Sequence, residues 1–167
     1  MQQPNQECEE QTIVDEQTFL REVAAMERTL YRVSSGLLHN RQDCADVVQE
    51  ALSKAWARRG SAQEQWFRPW LTRIVINECH NHWRRGKRLV VSEKVEPPEH
   101  TDVPNLELRQ ALDALPEKWR LPLTLHYLEG FSVAEIAHMT HTAEGTVKSR
   151  LHKARAMLKA EWEADEE

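Results

Sequence analysis

Six apolar residues, Phe19, Val23, Met26, Leu30, Val33 and Leu37, recur every three or four positions near the start of this chain. On a helix of 3.6 residues per turn they share one face, whereas on a strand they would scatter over both. The spacing returns at Ala45, Val48, Leu52, Ala55 and Trp56, after a break at "HNRQD". It returns again at Trp70, Leu71, Ile74 and Val75, behind Pro69 in a first-turn position that tolerates proline. Four short helical patterns follow, in "NLELRQALDALP", "EKWRLPLTLHYLEG", "SVAEIAHMT" and "HTAEGTVKSRLHKARAMLKA". Long Val/Ile/Thr alternations are absent and glycine is scarce, at five. The chain is therefore expected to be all-α. Hydrophobic residues make up 40%, enough for a core and against wholesale disorder.

Two breaks organise this pattern. "RRGSAQEQ" is a loop by its Gly, Ser and polar content. "GKRLVVSEKVEPPEHTDVP", residues 86–104, holds three prolines, an acidic run and little helical periodicity, and reads as a flexible linker. The division predicts two small helical domains, 15–86 and 104–162, joined by 87–103. The second must make do with a lean core. Cys8, Cys44 and Cys79 form an odd set without paired spacing, so a disulfide framework is not expected and a reducing cytoplasm fits. The N-terminus is acidic and lacks an apolar signal region, and no stretch has the apolar length of a membrane span.

The net charge of −5 argues weakly against a polyanionic partner, but the charge is segregated. Residues 68–94 carry seven Lys/Arg against two Asp/Glu, and residues 120–160 carry six against three. Residues 1–24 and 161–167 are each at −5. Local field outweighs total charge for nucleic acid, so two basic islands keep that class open.

The second island lies on a pair of short helices. Ser132 and Glu135 have the spacing of a capping box, in which each side chain satisfies the other's backbone amide. This predicts a helix over 133–139 with Val133, Ile136 and Ala137 inward. Thr142 is the expected N-cap of the next helix, with Glu144 favourable at its N-terminus. Val147, Leu151, Ala154 and Leu158 form that helix's buried stripe. Lys148, Ser149, His152, Lys153 and Arg155 remain on its flanks and outer face. Two readings fit this pattern: a DNA-binding helix-turn-helix, or a plain helical hairpin with a charged exterior.

The residues resemble a known family. "GTVKSRLHKAR" (145–155), with "FSVAEIAHM" (131–139) and "LPEKWRLPLTLHYLEG" (115–130) before it, resembles the sigma-4 domain of extracytoplasmic-function (ECF) sigma factors of the sigma-70 family. "DCADVVQEALSKAW" (43–56) is similar to the sigma-2 segment that docks on the polymerase clamp helices. "WLTRIVINECHNHWRR" (70–85) is similar to the segment that melts and reads the −10 element. Two motif sets in this order, across a Pro-rich linker, extend the resemblance over about residues 18 to 160.

The resemblance implies a sigma-2 helical bundle and a sigma-4 helix-turn-helix. It also implies a set of roles. Asp43, Asp46, Gln49 and Glu50 match the docking motif, where carboxylates and an amide face basic groups of the polymerase. Asn77 matches the asparagine that captures a flipped −10 base; an amide donates and accepts on a base edge at once, and it is also a common helix C-cap. Arg73, Arg84, Arg85, Lys87 and Arg88 would join it against the DNA backbone. Trp83 can stack on a base or pack inside, while Trp66, Phe67 and Trp70 are expected in the core. Lys148, Ser149 and Lys153 match positions that read the −35 element, with Thr146, Arg150, His152 and Arg155 beside them.

The implied partners are core RNA polymerase, promoter DNA and an anti-sigma factor. No cofactor, metal or catalytic residue is implied, and the chain inserts in no membrane of its own. The rival reading is a stand-alone helix-turn-helix regulator, which has no use for the acidic motif or the first basic island. An enzyme finds no phosphate loop or nucleophile motif here. Cys79, His80 and His82 lie close in sequence, but neighbours on one helix do not share a face, so they are expected as polar or DNA-facing residues. The turn departs from the family pattern: Thr140 and His141 stand where a Gly and an apolar residue are usual.

Overall fold

The computed structural model describes residues 13–86 and 106–165. The expected linker, 87–103, lies outside the described residues. Helix α1 runs Glu16–Leu37, α2 Arg41–Ala57 and α3 Phe67–Gly86. Helix α4 runs Leu106–Ala114, α5 Glu117–Leu123, α6 Val133–Thr140 and α7 Glu144–Asp165. The all-α expectation holds. Among the described residues no helix is long and apolar enough to cross a membrane.

The first three helices form a bundle, and side-chain caps fix the entries of α1 and α2. Asp15 accepts from the Thr18 amide at 2.7 Å, and this bond holds its carboxyl below the usual carboxylate range. Asn40 accepts from the Gln42 and Asp43 amides at 2.8 and 3.2 Å, which ends the "HNRQD" break and starts α2. On α1 the predicted stripe is the buried one, with Val23 at its edge. On α2 the buried face is Cys44, Val47, Val48, Ala51 and Ala55. That is a rotation from the expected one: Ala45, Leu52 and Trp56 are only half-buried. Ala51 and Ala55 are wholly buried and small, so α2 lies close against α3. Phe19 packs edge-on to Trp56, with 5.3 Å between ring centroids. It packs edge-on to Phe67 as well, at 5.5 Å, and such T-shaped pairs suit the ring quadrupoles. Phe67 is core as expected, Trp70 is half-buried, and Trp66 is exposed, contrary to its expected place.

"RRGSAQEQ" is more ordered than a loop. It holds two single 3-10 turns, Arg59–Ser61 and Glu64–Trp66, and buries Ala62 between them.

The C-terminal half packs α5 and α6 on α7 around Leu125, Phe131, Ile136, Met139 and Val147. Helix α5 contains Pro122 and passes into a wider π-helical turn, Thr124–Leu128. Leu128 and Glu129 lead from it to Gly130, which has a positive φ of 73°. Glycine adopts that conformation without penalty, and the chain can turn toward α6. The capping box is present: Glu135 donates its amide to Ser132 Oγ at 3.2 Å, and Ser132 donates its own to Glu135 Oε2 at 2.7 Å.

The α6–α7 turn explains the departure at Thr140 and His141. His141 adopts the left-handed conformation, φ 53° and ψ 42°. Glycine usually supplies that conformation at a helix end. Thr140 Oγ1 donates back to the Ile136 carbonyl at 2.7 Å and lies 2.9 Å from the Thr142 hydroxyl. Thr142 is therefore not the N-cap. Helix α7 starts at Glu144, its first bond goes to the Ala143 carbonyl, and the Thr142 hydroxyl is engaged within the turn. His141→Gly should raise stability by about 0.5–1 kcal/mol, because the left-handed cost exceeds the added freedom of the unfolded chain. Denaturant midpoints of the two chains measure this, and a lower midpoint would show that the imidazole holds the turn.

The two halves also touch. Helix α6 packs on α3, and α5 packs on α1. Arg32 of α1 reaches Glu129 at 2.8 Å, and that carboxylate side chain is only 3% exposed.

Candidate nucleic-acid and polymerase interface

Helix α7 buries Val147, Leu151, Ala154 and Leu158, the stripe expected of it. This leaves Thr146, Lys148, Ser149, His152, Lys153 and Arg155 exposed, with no acidic residue between 145 and 160. The result is a basic and hydroxyl-bearing outer face on the second helix of a helix-turn-helix. Such a face can meet phosphates and base edges together. Arg150 is set apart: it is half-buried and turns toward α3. Arg155 is also restrained, since its Nη1 donates to the Tyr127 hydroxyl at 2.8 Å.

Helix α3 places Asn77 on its exposed side, with Arg73 half-buried and Arg84 and Arg85 exposed at its end. Arg88 and Lys87 lie outside the described residues. Trp83 resolves neither of its two expected ways. Its indole N–H donates to the Leu37 carbonyl at 2.8 Å, while 43% of the residue stays exposed. The ring is thus tethered at one edge while part of it remains exposed.

Helix α2 carries the acidic set on the side away from its buried face. Asp46, Gln49 and Glu50 are exposed and Asp43 is half-buried. Three of them have local partners: Gln42 donates to Asp46 at 3.0 Å, Lys54 lies 3.3 Å from Glu50, and His82 lies 3.4 Å from Asp43. Lys54 also reaches the buried Glu78 of α3 at 2.8 Å, and that carboxylate pushes its ammonium above the ordinary value. The carboxylate face is thereby joined to the helix that carries Asn77.

Cys79, His80 and His82 diverge. Cys79 is fully buried, and burial pushes its thiol well up, which leaves it unreactive. His80 points to Glu117 of α5 at 2.8 Å, whose carboxyl it holds below the usual range. His82 points the other way, to Asp43. Among the described residues no three His, Cys, Asp or Glu side chains converge as metal ligands would.

The expected sites fall on three surfaces: the α2 acidic face, the α3 face around Asn77, and the α7 outer face. Asn77 and Arg150 meet across one cleft of about 440 Å³ between the halves, while Lys148 and Lys153 are not among its lining residues. Reading the sequence missed Arg32, Glu129, Tyr127 and the His80–Glu117 pair. No local pattern flags them, because each partner is distant in the chain.

Residues 23–89 match the family model for sigma-70 region 2, and residues 105–158 match that for sigma-70 region 4. The RNA polymerase sigma-H factor of Pseudomonas aeruginosa is 33% identical over 142 residues, covering 72% of this chain and 74% of that protein. The ECF RNA polymerase sigma-E factor of Escherichia coli is 33% identical over 138 residues, covering 70% and 72%. Among solved structures, the sigma factor RpoE of Bartonella quintana, in complex with the anti-sigma factor NepR, superposes with a TM-score of 0.71. It is 26% identical, over 88% of this chain and 98% of that one. CnrH in complex with the cytosolic domain of CnrY gives 0.68 at 26% identity, over 90% and 91%.

Proposed function

Since the chain belongs to the ECF group of the sigma-70 family, as an alternative sigma factor that binds core RNA polymerase and directs transcription initiation, we propose how its surfaces divide that work. The 15–86 half docks on the polymerase through Asp43, Asp46, Gln49 and Glu50. It takes up the −10 element through Asn77, Arg73, Trp83, Arg84, Arg85 and Arg88. The 104–162 half reads the −35 element with Thr146, Lys148, Ser149, His152 and Lys153, with Arg150 and Arg155 toward the backbone. Sigma factors are not enzymes, and the chain does no covalent chemistry: strand opening is offset by base capture and phosphate contact.

The observation that carries this division is the separation of charge by surface. Carboxylates occupy one side of α2, whereas the exposed side of α7 between residues 145 and 160 holds lysines, an arginine and hydroxyls with no carboxylate among them. A protein partner with basic groups fits the first, and a polyanion fits the second. The working compartment is the cytoplasm, where the polymerase is. An anti-sigma factor is a further partner, in keeping with the solved neighbour RpoE, which is held by one.

Charge reversal separates the two surfaces. Asp46→Lys with Glu50→Lys should cut co-purification with core polymerase by about tenfold or more, while duplex promoter binding by the free chain stays unchanged. Equal loss of both would mean that the fold had failed. Undiminished capture of core would remove this α2 face from docking, and specific duplex binding by a parent chain that never captures core would favour a stand-alone helix-turn-helix regulator.

A further inference from the structure

Tyr127 is a large side chain left half in solvent, 51% exposed. It stands in the π-helical turn Thr124–Leu128. There the Glu129 amide donates to the Thr124 carbonyl at 3.1 Å, and the Phe131 amide donates to the Leu125 carbonyl at 2.9 Å. Such turns insert a residue into a helix and recur at functional sites. Leu125 is wholly buried on one side of this turn, and Tyr127 falls on the other. The ring is not loose there. His126 stands edge-on to it, with ring centroids 4.8 Å apart and planes at 82°. His126 is itself fixed, because its Nδ1 lies 2.8 Å from the Phe131 carbonyl. A carbonyl only accepts, so Nδ1 is the donor.

From this fixed ring the phenol reaches α7, where Arg155 Nη1 donates to its oxygen at 2.8 Å. Among the described residues no carboxylate pairs with Arg155. A phenol orients a guanidinium without cancelling its charge, as a carboxylate in that place would. Lys148, His152 and Arg155 recur at i, i+4 and i+7, so they share one line of the α7 outer face. Tyr127 therefore stands beside the end of that line and fixes its last member. It takes one guanidinium N–H, which limits what Arg155 gives to DNA, and it fixes where the rest of the fork points.

We propose that Tyr127 is a positioning residue for promoter binding: its hydroxyl holds the Arg155 guanidinium toward a phosphate of the −35 duplex, beside the bases that α7 reads. This rests on the reading of α7 as the −35 reader with Arg155 toward the backbone. The tyrosine acts through the arginine and brings no charge of its own. A long side chain loses rotamer freedom on meeting a phosphate, and one that is already held loses less. Removing the hydroxyl leaves the charge on α7 but lets the guanidinium swing into solvent, where salt screens its attraction to the backbone.

The test uses holoenzyme assembled from core polymerase and the full chain, carrying Tyr127→Phe, Arg155→Ala or both. Fluorescence anisotropy reads binding to a labelled duplex promoter that the parent transcribes, over a series of salt concentrations. Arg155→Ala should weaken binding by about fivefold and flatten the slope of log affinity against log salt by about 0.9, the share of one phosphate contact. Tyr127→Phe keeps the ring and its His126 contact, and should weaken binding by about threefold while flattening the slope in the same direction. The double variant should bind within about 1.5-fold of Arg155→Ala alone, because the hydroxyl acts only through the arginine. A purely structural tyrosine would leave the salt slope unmoved and cost the same factor with or without Arg155, and that result overturns the proposal. Tighter binding by Tyr127→Phe overturns it too, since the phenol would then be withholding the arginine. Lys148→Ala with Lys153→Ala separates the two levels of the reading. Loss of binding there, beside an unaffected Arg155→Ala, rejects the positioning role and leaves α7 as the reader. Unaffected binding in both rejects the reading of α7 itself.

Discussion

Lys148→Ala combined with Lys153→Ala should lower run-off transcription from a cognate promoter by about 30-fold or more, with core polymerase binding unaffected. The loss corresponds to roughly 1–3 kcal/mol for each side chain that meets a base edge. Both lysines are exposed beside the buried Val147–Leu151–Ala154–Leu158 stripe, so truncation removes no core contact. Stability should stay within about 0.5 kcal/mol of the parent, as for other surface changes. Electrophoretic mobility shift with duplex carrying only the −35 element isolates the effect. Arg155→Ala should cost less, because the Tyr127 hydroxyl already engages that guanidinium. Transcription at the parent level from the double variant would remove α7 from promoter reading.

Asn77→Ala should reduce open complexes by about tenfold while binding to closed duplex changes by less than about twofold. An amide that pairs with an extruded base acts only after the strands part, so its contribution of roughly 1–3 kcal/mol appears in opening alone. Asn77 is exposed on α3 between the buried Ile76 and Glu78, so alanine there keeps the helix and its packing. Permanganate reactivity of unpaired thymines measures opening directly. Equal loss in closed and open complexes would mean that Asn77 contacts duplex backbone instead.

What could be read from the sequence was what local periodicity and spacing encode. The α1 stripe, the α7 stripe and the Ser132–Glu135 capping box are each set by residues within a few turns of one another, and each stands as expected. The α2 face was misjudged because Ala51 and Ala55 are small. Hydrophobicity favours Leu52 and Trp56 as the core-facing pair, whereas close approach to α3 selects the alanines. Trp66 was placed inside on hydrophobicity, yet it sits in a 3-10 turn whose geometry leaves the ring at the surface beside His138. Thr142 has the right chemistry for an N-cap, but the neighbouring Thr140 hydroxyl lies within hydrogen-bond reach. Glu129 was the least legible residue. Its partner lies 97 positions away, and nothing in "YLEGF" distinguishes a buried carboxylate from a solvated one.

Helices α2 and α3 are joined at several points along their length, by Asp43 with His82, by Lys54 with Glu78, and by the close approach at Ala51 and Ala55. The two helices are therefore one exchangeable part. In a chimera with a relative, a graft of α3 alone would strand Glu78 without its lysine and set α3 at a foreign distance from α2, so that Asn77, in the base-capturing role proposed for it, would miss its target even with every other residue intact. Moving α2 and α3 together carries the offset between polymerase and melted strand with the graft.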